Sequence, residues 1–347
     1  MKYENIAVLI PAYKPDRRLN QLVDDLLAAG FNNLVVVDDG GQEPFREIFN
    51  DLEGKAAVLV HEVNRGKGAA LKTGLTHIMQ TPGISVVTAD ADGQHTPADI
   101  ARIADELLAK PDALVLGSRD KKQMPPRSKV GNTLTCGVFG LTTGLWISDT
   151  QTGLRGLPAS SLAPFSVLEG DRYEYEMNML IDAAKRHIPV VEVTIDTIYI
   201  DNNSGSHFNA VKDGLRIYKL LFGQVGKFMG SSLLAALVDY VICLLLWAVW
   251  PETWPSGLLV PVIIARVISS LFNYLVNREV VFKAKDSHGS FLRYYLLVAV
   301  IALASYLGIK LLAECLMVPK LISKILIDGL LFIVSYRVQN KIVFKKK

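Results

Sequence analysis

Two carboxylates one residue apart, Asp90 and Asp92, close the apolar, β-branched run Ile84-Ser85-Val86-Val87-Thr88. Such a run reads as a buried strand. On an extended chain, residues two apart point to the same side, so both acids can face one site. The carboxyl end of a strand is where open α/β sheets bind ligands. Two hard oxygen donors there suit Mg2+ or Mn2+, and such an ion in turn suits a diphosphate. The spacing alone fits an acidic turn capping the helix that starts near Pro97 equally well, and at this point both readings stand.

The elements that would hold this pair repeat along the first 200 or so residues. Ile6 to Ile10 reads as a strand running into Pro11, Ala12 and Tyr13. Leu19, Leu22, Val23, Leu26 and Leu27 then recur at helical spacing, with Gly30 as the stop. Leu34 to Val37 is a second strand ending in Asp38-Asp39-Gly40-Gly41. Strand, helix, strand is the βαβ unit of a parallel sheet. Further strands are expected around Val58 to Val60, at Ala113 to Leu116 and from Val190 to Ile200, and helices at Pro97 to Leu108, Asn132 to Phe139 and Tyr173 to His187. Asn64-Arg65-Gly66-Lys67-Gly68 opens another helix, where Arg65, Lys67 and the helix N-terminus could meet a diphosphate. The segment is not a P-loop. Its GxGxxG is incomplete because Leu71 replaces the last glycine, which argues against a nicotinamide cofactor.

Composition divides the chain. Half of its 347 residues are hydrophobic, too many for an ordinary soluble enzyme. From Gly226 onward there are 14 Lys and Arg against 6 Asp and Glu; the preceding part holds the other 23 of 37 bases and 28 of 34 acids. A mildly acidic globular part therefore precedes a basic, apolar part, which points to a membrane and not to nucleic acid. Cys136, Cys243 and Cys315 match neither a disulfide framework nor a metal pattern, and suit a reducing compartment. The first residues show no signal-peptide pattern.

Pro11-Ala12-Tyr13, Asp38-Asp39-Gly40, Asn64-Arg65-Gly66-Lys67-Gly68, Asp90-Ala91-Asp92-Gly93-Gln94, Gly117-Ser118-Arg119 and Asp149-Thr150-Gln151-Thr152-Gly153 come in this order. In this they resemble the family 2 glycosyltransferases of GT-A fold, specifically the polyprenyl-phosphate hexose synthases of the dolichyl-phosphate mannose synthase type. The resemblance implies a nucleotide-sugar site made of Pro11, Ala12, Tyr13, Asp39, Lys67, Asp90, Ala91 and Asp92, with Tyr13 and Asp39 at the base and ribose. It implies Mg2+ or Mn2+ on Asp90, Asp92 and Gln94, chiefly on the last two. Two departures matter: Lys14 and Pro15 replace the usual Asn-Glu, so that Asp16 would have to take over a nucleotide contact, and Gly41 replaces a Ser.

The same resemblance places the acceptor phosphate on Arg119, Arg127, Ser206 and His207, with His207 where relatives carry Lys, and matches Asn132 to a family Asn. Residues 120–129 read as a basic, proline-interrupted loop, a candidate lid whose guanidinium forks suit phosphate oxygens. The catalytic set is expected to be Asp92, Arg119, Arg127 and Asp149. Asp149 is open between a general base and a structural hydrogen-bonding centre, since a monoalkyl phosphate, with a second pKa of about 6, is already anionic at neutral pH. Arg155 follows in the same polar loop with no role assigned.

Residues 208–228 mix apolar and basic positions as an interfacial helix does. Four apolar stretches follow, at about Met229 to Trp250, Gly257 to Val276, Phe291 to Ala313 and Lys320 to Tyr336. Asn273 to Lys283 echoes Ser335 to Lys345, so two helix pairs form an internal repeat, similar to the GtrA-like family. Arg266 is a candidate buried partner of Asp239 or Asp328. The basic segments Asn277 to Ser290 and Lys341 to Lys347 predict a cytoplasmic side that also holds both termini. The expectation is thus an α/β GT-A domain of mostly parallel sheet over residues 1–207, then an all-α domain of four transmembrane helices. It is expected to be an inverting transferase moving a hexose from a UDP-glucose or GDP-mannose type donor to a polyprenyl phosphate. This leaves room for a homo-oligomer and for a downstream membrane glycosyltransferase that uses the lipid-linked sugar. The competing reading is a lipid-linked-sugar translocase or scaffold whose soluble part only binds nucleotide-sugar. A polysaccharide synthase would carry a QxxRW-like signature, which is absent.

Overall fold

The structure, a computed structural model, describes residues 2–41, 43–120, 124, 126–196, 212–249, 259–284 and 289–344. It resolves into two compact units, residues 1–220 and 221–347.

The first unit is built on a seven-stranded sheet of order β3-β2-β1-β4-β6-β5-β7. Its strands are β1 (Ile6–Ala12), β2 (Asn33–Asp38), β3 (Ala57–Val60), β4 (Ser85–Thr88), β5 (Leu114–Arg119), β6 (Arg155–Leu157) and β7 (Val190–Ile195). The helices are α1 (Arg18–Ala28), α2 (Arg46–Asn50), α3 (Lys67–Ile78), α4 (Pro97–Ala109), α5 (Pro126–Thr143), α6 (Ala159–Ser166) and α7 (Glu174–Arg186). β1 is almost wholly buried, as a central parallel strand covered on both faces must be. The helix α1 covers it with Leu19, Leu22, Val23 and Leu26, the stripe expected from their spacing. Thr96 caps α4 by accepting the Asp99 N–H, and Pro97 begins the helix, so the chain after Asp92 turns sharply away from the strand end.

β1 pairs in parallel with β2 and β4, so Ala12, Asp38 and Ala89 lie on one edge of the sheet. β6 runs antiparallel to both β4 and β5, pairing Arg155 with Thr88 and with Leu116. This reversal brings the loop before Arg155, residues 148–154, to the same edge as Asp90 and Asp92. The sequence reading missed β6 because three residues carry no periodicity. It also began α5 too late. Pro126 does not interrupt a loop but is the first residue of the helix, a favoured place for proline. Residues 126–129 are therefore helical and not part of a lid. Strand β7 stops at Ile195, and residues 197–211 lie outside the described set.

The second unit is helical, from α8 (Lys212–Val249, which begins in the first unit) through α9 (Leu259–Val276), α10 (Ser290–Lys310) and α11 (Lys320–Val338). Among the described residues, Val225–Val249, Val260–Val281 and Ser290–Glu314 are long and apolar enough to cross a membrane. Among the described residues four long helices form and three meet that criterion; α11 carries Lys320, Lys324, Asp328 and Arg337 within its length. Arg266 pairs with Asp239 at 3.3 Å, and Ser269 donates to the same carboxylate at 2.9 Å. Asp328 instead takes Lys324 at 2.8 Å and the Ser305 hydroxyl at 2.9 Å.

The internal repeat has a physical meeting point. Both copies end in a π-helical turn, Asn277–Val281 and Gln339–Val343, each closed by a phenylalanine N–H 2.8 Å from the carbonyl of Asn277 or Gln339. Asn277, fully buried, donates to Gln339 Oε1 at 3.0 Å and accepts the Ser231 hydroxyl at 2.5 Å. Phe282 and Phe344 stack beside them at 5.3 Å. A buried side-chain amide left without partners costs about 1–3 kcal/mol. Asn277→Ala removes one partner from both Ser231 and Gln339, and should destabilise the protein by about 2 kcal/mol. The check is the unfolding temperature of the full chain in detergent, which should fall; an unchanged value would deny the pair a structural role.

Candidate active site

The shared edge of the sheet opens into a cleft of about 630 Å³. Its walls include Pro11, Ala12, Tyr13, Asp39, Lys67, Asp90, Ala91 and Asp92, the whole expected nucleotide-sugar set, together with Lys14, Pro15, Asp16, Arg18, Asn64, Gly66, Arg172 and Tyr173. Strand ends contribute the Pro11 and Asp90 segments, and the first turn of α3 contributes Lys67.

Asp39 lies in the wall with both oxygens occupied. Oδ1 accepts His61 Nδ1–H at 2.8 Å and the Arg65 N–H at 2.9 Å; Oδ2 accepts Asn64 Nδ2–H at 3.0 Å and the Gly66 N–H at 2.8 Å. A carboxylate has about four acceptor positions, so Asp39 holds the 64–66 loop in place. The loop can reach it because Gly66 has φ +102 and sits so close to the Asp171 carbonyl that a Cβ would approach within 2.3 Å. Asp16, considered as a substitute nucleotide contact, is gripped by the Arg18 side chain and N–H, which hold its carboxyl below the usual range. The Arg65 side chain turns to a separate hollow with Lys72, Thr73, Thr76 and Asp171.

The floor is a network of charge. Lys67 Nζ lies 2.6 Å from Asp90 Oδ1 and 3.1 Å from Glu176 Oε1. Beneath them Arg155, fully buried, donates to the carbonyls of Thr152, Glu176 and Thr150 at 2.9, 2.6 and 3.4 Å. Burial works to raise the Asp90 pKa, but the charges of Lys67 and Arg155 outweigh it and the net direction is down. Burial likewise opposes the charge on Lys67, and Asp90 and Glu176 reverse that, raising its pKa. Asp92 goes the other way: burial and the charge of Asp90 push its pKa up. His95 is driven down by burial and accepts the Asp90 N–H on Nδ1, which assigns a neutral ring with its proton on Nε2.

Arg119 and Asp149 form a second cluster. The guanidinium meets the carboxylate two-pronged, Nε–Oδ2 at 2.6 Å and Nη2–Oδ1 at 3.0 Å, and the Gln151 N–H adds a bond to Oδ1 at 2.9 Å. Asp149 has a fully buried side chain. These contacts occupy lone pairs of Asp149 and fix the orientation of the Arg119 guanidinium. Asn132 fixes the other end of this loop, receiving the Thr150 N–H at 3.2 Å. The 150–155 segment links the two clusters, because Arg155 donates to the Thr150 and Thr152 carbonyls next to Asp149 and Gly153 abuts the Asp90 carboxylate. Arg127 sits in the first turn of α5 with its side chain outside the described residues, as are Ser206 and His207.

Among the described residues no three His, Cys, Asp or Glu side chains gather as a metal cage. Asp92 lines the cleft, with Oδ1 accepting the Gln94 N–H at 3.0 Å. A carboxylate on a cleft of this kind fits Mg2+ or Mn2+, which binds through one or two carboxylates, waters and phosphates.

Arg155 and Glu176 are the residues that sequence reasoning left unused. Arg155 ends the Asp149 motif and was visible, but nothing local marks an arginine for complete burial.

Glycosyl transferase family 2 matches residues 7–162, and the GtrA/DPMS transmembrane domain matches residues 227–344. The chain is 32% identical over 243 residues to UDP-N-acetylglucosamine–dolichyl-phosphate N-acetylglucosaminyltransferase of Methanococcus voltae, covering 64% of this chain and 97% of that protein. It is 28% identical over 251 residues to dolichyl-phosphate beta-glucosyltransferase of Dictyostelium discoideum, covering 63% of this chain and 75% of the relative. Mycobacterium tuberculosis glucosyl-3-phosphoglycerate synthase, solved with Mn2+, UDP and phosphoglyceric acid, aligns at a TM-score of 0.47 and 20% identity over 63% of this chain and 78% of that one.

Gly153 supplies a direct test of the floor. A Cβ there would stand 2.4 Å from Asp90 Oδ2. Gly153→Ala should push the Asp90 carboxylate off Lys67 and lower kcat/KM about a hundredfold, the scale of losing one positioned charged group. Steady-state kinetics check this, and wild-type turnover would show that the contact is dispensable. The chain is a glycosyltransferase: it belongs to glycosyl transferase family 2, the family of the polyprenyl-phosphate sugar transferases, and carries a transmembrane domain of GtrA/DPMS type.

Proposed function

We propose that this enzyme transfers a hexose or N-acetylhexosamine from a nucleotide diphospho-sugar to a polyprenyl phosphate at the cytoplasmic face of a membrane, with inversion at the anomeric carbon. The observation that carries the proposal is that one loop joins the two charge clusters: a cleft with Lys67 and Asp92 suits the donor diphosphate, and the 149–155 segment that abuts Asp90 also holds Arg119, which suits an anionic acceptor. Lys67 balances negative charge where the diphosphate departs, and the Asp39-anchored loop shapes the nucleotide end. Mg2+ or Mn2+ on Asp92 and Gln94 would neutralise the leaving diphosphate. Asp90, bound to Lys67, contributes to that site through its charge. Arg119, oriented by Asp149, positions an acceptor phosphate together with Arg127, Ser206 and His207.

The chemistry needs no protein base. An acceptor phosphate oxygen, anionic above its second pKa of about 6, attacks the anomeric carbon. The new C–O bond forms as the bond to the diphosphate breaks, and the nucleoside diphosphate leaves with the electron pair. A single displacement inverts the centre, and the committed lone pairs of Asp149 are consistent with the absence of a covalent intermediate. The Methanococcus relative's name specifies a UDP-sugar and the Dictyostelium relative's a β-linked product, which support a UDP donor and inversion. An even number of spans, with α11 the fourth and both termini cytoplasmic, accords with the basic segments that follow α9 and α11.

Membranes containing the protein, given labelled UDP-N-acetylglucosamine, UDP-glucose or GDP-mannose with undecaprenyl phosphate and Mg2+ or Mn2+, should yield one labelled lipid. Asp92→Asn should lower its formation by about a hundredfold or more. If no donor labels lipid, the acceptor assignment is wrong; if Asp92→Asn keeps wild-type turnover, the metal assignment is.

A further inference from the structure

Glu192 holds an exposed position on β7, the strand that pairs with β5 at the end of the sheet. It lies outside the residues that line the donor cleft. Its carboxylate is nonetheless engaged, and by a single residue. Glu192 Oε1 accepts the Ser148 N–H at 2.8 Å and the Ser148 hydroxyl at 2.5 Å. A serine hydroxyl has one proton to give. With that proton on Glu192, Ser148 Oγ is the acceptor in its 2.6 Å contact with Ser118 Oγ, and Ser118 is the donor. The bonds therefore run one way, from Ser118 through Ser148 to a charge that ends the chain, and charge-assisted bonds are the stronger kind.

The two serines immediately precede Arg119 and Asp149. Ser118–Ser148 and Arg119–Asp149 are thus successive rungs between the end of β5 and the loop that follows α5, and Glu192 fastens the first rung to β7. That loop, residues 144–154, contains no helix or strand, so the sheet does not hold it before Arg155. The Ser148 carbonyl is engaged too, accepting from Asn132 Nδ2–H and Cys136 Sγ–H, each at 3.4 Å. Where Ser148 is held, Asp149 is placed, and Asp149 in turn orients the Arg119 guanidinium. Resting on the reading of Arg119 as the acceptor-phosphate contact, we propose that Glu192 is a positioning residue for the acceptor, which acts through Ser148 and Ser118 to keep Asp149 in register with Arg119.

The test compares the full chain in detergent with Glu192→Ala and Glu192→Gln. Hydrogen–deuterium exchange over residues 145–154, measured without substrate, should quicken about tenfold in Glu192→Ala, where the Ser148 N–H loses its acceptor. Glu192→Gln keeps an oxygen that accepts both bonds and should exchange like the wild type. Unchanged exchange in Glu192→Ala overturns the inference. In steady-state kinetics with undecaprenyl phosphate and whichever of the three nucleotide-sugars labels lipid, Glu192→Ala should raise the acceptor KM about tenfold and leave the donor KM within about twofold. Glu192→Gln should restore most of that loss. Equal rises in both KM values, or no rescue by the glutamine, would mark Glu192 as merely structural. Because Glu192 works through Arg119, Glu192→Ala should add no further loss to Arg119→Ala; an additive loss overturns the inference. A wild-type acceptor KM in Arg119→Ala would instead sink the acceptor reading, and the exchange measurement, which needs no substrate, keeps the two failures apart.

Discussion

One lysine ties the catalytic unit together. Lys67 Nζ reaches Asp90 at the end of β4 and Glu176 in the first turn of α7. Without it two carboxylates would face each other largely out of water, and stripping one partner from a buried ion pair typically costs about 3–5 kcal/mol. The signs of the shifts show how firmly the cluster is charged. A raised Lys67 pKa means that its stabilisation is complete below the unfolded lysine value and fades only as pH climbs through the higher folded value. A lowered Asp90 pKa means that its contribution is present above the unfolded carboxylate value and is lost as pH falls through the lower folded one. The pair is therefore intact across the neutral range, and in the proposed function a donor diphosphate would meet a fixed cation.

Carboxylates in this site are mostly organisers. Asp39 spends its lone pairs on four donors of the 61–66 segment, and Asp149 spends its own on Arg119 and Gln151. Each converts a floppy loop into a wall at a strand end. Asp92 stands apart, with a pKa raised by burial and by its neighbour Asp90 and its carboxylate on the cleft. A divalent cation would relieve that strain, while a proton would remove the ligand. This division of labour suits the proposed displacement, in which none of these acids would have to act as a base.

Much of the positioning framework was legible because parallel strands announce themselves. Runs such as Ile6 to Ile10 and Leu34 to Val37 are continuous and β-branched, and each ends in a turn bearing its motif, so the eight expected nucleotide-sugar residues fall around one cleft. What escaped was decided by tertiary closure. β6 has three residues and no pattern, yet its reversed direction puts the Asp149 loop beside Asp90. Arg155 and Glu176 look like surface charges until the sheet and α7 enclose them. The lone pairs of Asp39 and Asp149 could be counted from sequence, but not the backbone donors that fill them. In the membrane unit the repeat was visible, whereas the π-helical turns that let Asn277 meet Gln339 follow from packing between copies.

The most direct test of the Lys67-centred account is calorimetric titration of UDP and GDP, with Mg2+ present, into the wild-type chain and Lys67→Met. The account predicts that the nucleoside diphosphate bound by the wild type loses about a hundredfold or more in affinity in the variant, the scale of a lost buried charge contact. Wild-type affinity in a folded Lys67→Met protein would contradict it.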